Sequence, residues 1–210
     1  MRIIRSAATG LLVAAASCVP HAPPLVGAPT PAHFPRAELA PGHQQWTFKW
    51  RYKDEDMTVD GEGVARIAAP DSARLDFFVS GGLGGGTAVL IGNQLDAPGP
   101  NVLRKLIPPP PMLWAALGRL ALPPAADTAA RLSGDTLRAD VGTGEVWRAT
   151  FVGDRLARID HLDDGHIREH LVRDSPDAVR YESDAARRSL TITVSRRADV
   201  QPFDVAIWSR

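Results

Sequence analysis

The 210-residue chain contains a single cysteine, Cys18, so no disulfide can form within one molecule even where the compartment would permit it. Lysine is scarce, with three against 21 arginines, and basic and acidic residues are interleaved without a cationic block. Nucleic acid is therefore not an expected partner, and the arginine excess reads as compositional bias and not as phosphate recognition. No Gly-x-Ser-x-Gly elbow and no His-Glu-x-x-His pair is present, and no spacing singles out an acid–base pair among the 24 acidic residues. No catalytic residue, cofactor or metal is expected, and the chain reads as a non-enzyme.

What is present begins at the N-terminus. Arg2 and Arg5 form a short cationic region, followed by an apolar stretch from Ala7 to Ala16. That stretch is too short for a permanent bilayer span and reads as a cleaved export signal, residues 1–17. The sequence "AAASC" ending at Cys18 resembles the lipobox of bacterial lipoproteins, with Ala15 where Leu or Val is commoner. The resemblance implies acylation of Cys18, which would attach the mature chain to a membrane without crossing it. Residues 18–41 are rich in proline and alanine and have neither helical nor strand period, which suggests a flexible, extended tether. A single domain is expected over 42–210, a length that supports one real core. Without Arg2 and Arg5 the chain has 22 basic and 24 acidic residues, a net charge of −2.

The domain reads as strands. In "WTFKWRYK", Trp46, Phe48, Trp50 and Tyr52 alternate with Thr47, Lys49, Arg51 and Lys53, the pattern of a strand with one buried face. "GVARIA" and "ARLDFFVS" suggest a hairpin about Pro70-Asp71-Ser72, with Arg66 opposite Asp76 and Ile67 opposite Leu75. Further strands are expected at "TAVLIG", "TLRADV", "VWRATFV", "RLARIDHL", "HIREHLV", "AVRYES", "SLTITVSR" and "FDVAIW", forming one antiparallel meander. The one persuasive helix is "PPPMLWAALGRLAL", with prolines at its start, Leu113, Trp114, Leu117 and Leu120 at helical spacing, and Pro123-Pro124 after it.

Two stretches suggest chemistry and lose it on inspection. "VSGGLGGGTAVLIG" has five glycines in its first eight residues, but Gly86 is followed by Thr87 and not by lysine. No glycines stand at the spacing of a dinucleotide fingerprint, and "TAVLIG" after the run is strand-like and not helical. Val79 to Gly92 therefore reads as strand, bend, strand. "HLDDGHIREH" gathers His161, Asp163, Asp164, His166 and His170 within ten residues, a plausible zinc set by residue type. A three-residue turn with Gly165 left-handed places Asp160 opposite Arg168. In that register His166 and His170 share one face and His161 takes the other, so no metal site is expected.

A long sheet with one apolar face and a single apolar helix must curl around the helix or around a ligand. Trp50, Leu75, Phe77, Val89 and Phe151 are the expected concave floor, and Leu113, Trp114 and Leu117 the lid. The order of features resembles the outer-membrane lipoprotein-sorting proteins LolA and LolB. "GVARIAAPDSARLDFFVSGGLGGGTAVLIGNQ" looks like their early strands and "SLTITVSRRADVQPFDVAIW" like their closing ones. The resemblance implies a mainly β fold, an incomplete barrel with a helical lid that holds acyl chains in its concave face. It further implies a monomer anchored by lipid to the periplasmic face of the outer membrane. Two alternatives stand beside this carrier: a cell-envelope scaffold with a filled core, and a metal-dependent hydrolase using residues 161–170.

Overall fold

The computed structural model describes residues 20–209 except 32, 36, 83, 99–104, 124 and 126. The export signal and Cys18 lie outside the described residues. Among the described residues the strands are β1 (Ala28–Pro29), β2 (His43–Lys53), β3 (Thr58–Ala68), β4 (Ser72–Val79), β5 (Gly85–Ile91), β6 (Gln94–Asp96), β7 (Thr128–Ser133) and β8 (Thr136–Val141). They continue as β9 (Glu145–Val152), β10 (Arg155–Asp163), β11 (His166–Arg173), β12 (Ala178–Ser183) and β13 (Arg188–Asp199). A helix, α1 (Pro110–Ala116), stands between β6 and β7.

All thirteen strands join in one antiparallel sheet, ordered β1-β7-β8-β9-β10-β11-β12-β13-β2-β3-β4-β5-β6. The topology is thus two meanders joined where the last strand, β13, pairs with β2. Alternation explains the inner face. Trp46, Phe48, Trp50 and Tyr52 of β2 are buried, and so are Ala73, Leu75 and Phe77 of β4. They form one core cluster with Ala149 and Phe151 of β9, Ile159 of β10 and the buried side of α1.

The curl of the sheet follows from α1. Trp114 donates its indole N–H to the carbonyl of Gly92, in the β5–β6 turn, at 2.6 Å. One residue along the helix, the carbonyl of Ala115 accepts from Arg173 at the end of β11 at 2.7 Å. Those attachment points are six strand spacings apart in the sheet, about 28 Å if it were flat. Neighbouring helix residues reach both, so the sheet wraps around α1 as a barrel left open.

Several expectations are corrected. The helix is shorter than "PPPMLWAALGRLAL", because Gly118 is left-handed (φ 93) and ends it. "FDVAIW" is not a strand: the Asp204 side chain accepts from the amide of Ala206 and starts a 3-10 turn over Val205–Trp208. The β3–β4 hairpin pairs Arg66 with Arg74 and Ile67 with Ala73, two residues from the expected register. A two-residue slip preserves the faces, and Arg66 still reaches Asp76 diagonally at 2.5 Å while Arg74 holds the same carboxylate at 3.0 Å. Val79 to Gly92 is strand, bend, strand: one 3-10 turn at Ser80–Gly82, with Gly81, Gly82 and Gly84 at positive φ, leads into β5.

Candidate ligand-binding face

The floor of the inner face is fixed by close approach. A Cβ at Gly63 would lie 2.3 Å from the Phe48 ring, and one at Gly61 would lie 2.8 Å from the Trp50 ring and 1.9 Å from the Phe78 carbonyl. Two glycines in β3 therefore let the β2 aromatics lie flat across it, a role the sequence carries as "GEG" but that only the register reveals. Phe77 then packs edge-on against both rings, at 5.5 Å from Phe48 and 5.8 Å from Trp50.

Of the expected floor residues, Trp50, Leu75, Phe77 and Phe151 belong to this cluster. Val89 does not. β5 pairs Ala88 with Leu75 and Leu90 with Ala73, so Ala88 and Leu90 face inward while Val89 lies on the other face between Arg74 and Asp96. The run "TAVLIG" has apolar residues on both faces, which hides the register. Leu113, Trp114 and Leu117 are all buried against the core.

Two arginines hold the C-terminal half of α1. The Arg119 guanidinium sits 4.6 Å over the Trp114 ring. At the C-terminal end Arg173 donates to the carbonyls of Ala115 and Ala116, groups that a helix leaves without intrahelical partners. Burial holds the Arg173 guanidinium below its ordinary value, with the Arg197 and Arg155 charges acting the same way. Sequence reasoning had no signal for this contact across 57 residues.

A second cover also went unanticipated. Part of the proline-rich stretch runs along the domain. The amide of Ala22 donates to Gly165, Ile167 donates to Pro20, and Pro23 accepts from Arg148. β1 then extends the sheet beside β7. Beyond it, Phe34, Ala37 and Leu39 pack against the inner core, with Phe34 at 6.2 Å from Phe151. Covered by α1 and this segment, the interior retains a cavity of about 20 Å³ beneath Leu117, lined by Trp46, Phe48, Leu75, Val179 and Ile192. That holds about one water, whereas ligand pockets commonly run to ~300–1,000 Å³.

The histidine cluster is arranged differently from the expected register. Asp164 and Gly165 form a two-residue turn, both at positive φ, and pair Asp163 with His166. A bulge at Arg168 then sets His161 opposite Glu169 and Asp160 opposite His170. Without the bulge a two-residue turn would set Asp160 opposite Glu169, two carboxylates facing each other; with it Asp160 faces His170 instead. His161 shares the inner face with Trp147, on whose ring it stacks at 4.3 Å, while His170 faces outward toward Glu182. Glu169 and Glu145 hold the two nitrogens of His161 at 3.0 and 2.7 Å, and Tyr181 donates to Glu169 at 2.6 Å.

The hydrogen bond with Glu169, helped by Glu145 and opposed by burial, raises the His161 pKa. Burial pushes the Glu169 carboxyl up, but its bonds from His161 and Tyr181 outweigh it and leave the pKa lowered. Burial and the Arg158 charge lower that of His170. The imidazoles diverge, and among the described residues no group of three or more His, Cys, Asp or Glu is placed to hold a metal.

No family model and no curated protein matches the sequence. Solved structures do match by shape. A LolA superfamily protein from Nitrosomonas europaea superposes with a TM-score of 0.54 and 8% identity, over 83% of this chain and 93% of that one. This chain has a LolA/LolB-like fold. A DUF1329 family protein from Desulfovibrio piger has a TM-score of 0.46, 8% identity and coverage of 80% and 90%. A domain from Vibrio parahaemolyticus assigned to outer membrane lipoprotein sorting has 0.47, 7%, 80% and 89%. Within this fold α1 covers part of the inner core, and Phe34, Ala37 and Leu39 of the N-terminal segment pack against the same core.

Proposed function

We propose that the protein is a membrane-anchored cell-envelope lipoprotein that holds a hydrophobic ligand, a lipid or the acyl chains of a lipoprotein, against the inner face of its half-barrel. It acts by binding, without catalysis or cofactor. The observation that carries this reading is an inner face that is apolar apart from the His161–Glu169 pair toward the β10–β11 turn, on a curled, unclosed sheet roofed by a short helix and an extended segment and not by more sheet. The LolA/LolB-like fold supports the same reading. Trp50, Leu75, Phe77 and Phe151 are the floor, Leu113, Trp114 and Leu117 the lid. Acylation at Cys18 supplies the anchor, at the periplasmic face of the outer membrane, and the chain works as a monomer. Because Pro20 and Ala22 bond to β11 and its turn, an anchor two residues before Pro20 holds the β10–β11 turn within about 7 Å of the bilayer surface.

The 20 Å³ cavity favours a second reading, a cell-envelope scaffold whose core is permanently filled. Mass spectrometry of protein purified from membranes separates the two. Co-purifying lipid at stoichiometric levels supports the carrier. Lipid-free protein that also ignores a fluorescent fatty acyl probe supports the scaffold.

A further inference from the structure

The segment from Phe34 to Leu39 occupies the inner face in a manner its own bonding makes reversible. From Pro31 to Pro41, the one backbone hydrogen bond to the rest of the domain among the described residues is from the amide of Leu120 to the carbonyl of Ala37, at 2.9 Å. The other attachments are apolar: Phe34 on the Phe151 ring, and Ala37 and Leu39 against the core. By contrast β2 and β3 are paired continuously from His43↔Ala68 to Lys53↔Thr58. Pro31, Pro35 and Pro41 deprive the segment of amides with which to join the sheet. An element with few backbone bonds, apolar contacts and one open side belongs to the low-stability end of a fold.

An open side exists. A hollow of about 460 Å³ borders the segment at Glu38, Leu39 and Pro41, and its far wall is Ala69, Pro70 and Arg119. Arg119 stacks on Trp114 of the lid, so the hollow lies beside both covers of the inner face.

Building on the carrier reading, we propose that Phe34–Leu39 is an internal occupant of the acyl site, and that a saturated acyl chain enters from this hollow and displaces it. Phe34 against Phe151 keeps the site dry and closed when no ligand is present. The ligand class is a single unbranched hydrocarbon chain, since it replaces a narrow extended segment with one ring and one Leu side chain. Occupancy by the segment lowers apparent affinity by the fraction of time the site is open.

The test uses the full mature chain with 11-dansylaminoundecanoic acid as probe. Truncating the occupant weakens the competitor, so Phe34→Ala and Leu39→Ala should each bind the probe more tightly, by roughly fivefold. Probe binding to the unmutated protein should also speed hydrogen exchange at the Leu120 amide, whose acceptor leaves with the segment. Probe binding without tighter binding in either variant overturns this proposal and leaves the carrier standing. Tighter binding with an unchanged Leu120 amide also overturns it, because the probe then fills only the space of the deleted side chain. No binding by any of the three proteins overturns both readings.

Discussion

Replacing Trp114 with phenylalanine tests whether α1 is pinned to the sheet as described. Trp114 is fully buried, and its indole N–H donates to the Gly92 carbonyl at 2.6 Å. Phenylalanine retains most of the apolar surface but cannot donate. The packing share is therefore a fraction of the ~3–5 kcal/mol that truncation to alanine costs, about 1 kcal/mol. The Gly92 carbonyl loses its partner in a tight turn, adding about 1–3 kcal/mol. A loss of about 2–4 kcal/mol is expected, a large part of the ~5–15 kcal/mol that stabilises a typical domain. At roughly 2–4 °C per kcal/mol for a chain of this length, Tm should fall by about 4–16 °C. Urea and thermal unfolding should be followed by far-ultraviolet circular dichroism, which does not depend on the deleted indole. Trp208→Phe is the control: Trp208 sits in a half-buried 3-10 turn and should lose less than about 1 kcal/mol. A Trp114→Phe loss no greater than that of the control would refute the pinning of α1 by this bond.

Leu117→Arg should abolish binding of the acyl probe while the sheet signal persists, because it puts a charge into the apolar cavity beside Arg173, where the one carboxylate on the wall, Asp177, is already paired with Arg197. Intact binding by that variant would remove Leu117 from the site. Cys18→Ser should give a protein that incorporates no labelled palmitate and leaves the membrane fraction; retained label would remove the anchor. His161 and His170 should bias stability with pH in opposite directions. His161 has a raised folded-state pKa, so its contribution is full below the ordinary value near 6.5 and is lost as pH rises through the folded one. His161→Gln should thus show a urea-midpoint deficit that is largest below about pH 6.5 and shrinks as pH rises above it. His170 has a lowered pKa, so folding loses stability as pH falls below about 6.5, and His170→Gln should be relatively more stable toward about pH 5. Deficits independent of pH in both variants would contradict these shifts.

The fold class was legible because alternation is a local signal. Trp46 to Tyr52 could be assigned to one face from spacing alone, and "TLRADV" and "AVRYES" became β8 and β12 with the same bounds. Register was not legible where both choices satisfied the pattern. At β3–β4 a slip of two leaves every face unchanged, so Arg66 opposite Asp76 and Arg66 diagonal to it look alike in sequence. At β10–β11 a three-residue turn and a two-residue turn with a bulge at Arg168 both keep Asp160 away from Glu169, and the structure takes the second. At β5, apolar residues on both faces make Val89 look like a floor residue when Ala88 and Leu90 face inward. Short strands such as β1 and β6 are set by the neighbour they pair with and carry no period of their own.

The docked N-terminal segment shows most clearly what a local reading omits. A proline-rich stretch has no internal hydrogen bonds, so its sequence looks the same whether it is solvated or laid on a surface. Here the surface exists because thirteen strands present far more apolar area than a helix about 10 Å long can roof. The chain supplies the missing cover from the nearest unpaired source, its own N-terminal flank. The two covers are also linked: the segment's backbone bond is to Leu120, three residues beyond the Leu117 that caps α1. Displacing Ala37 as proposed would take from Leu120 the acceptor of its amide, two residues after the left-handed Gly118 that ends the helix. The proposed displacement of one cover would therefore remove a support of the other, since both lie against the same inner core.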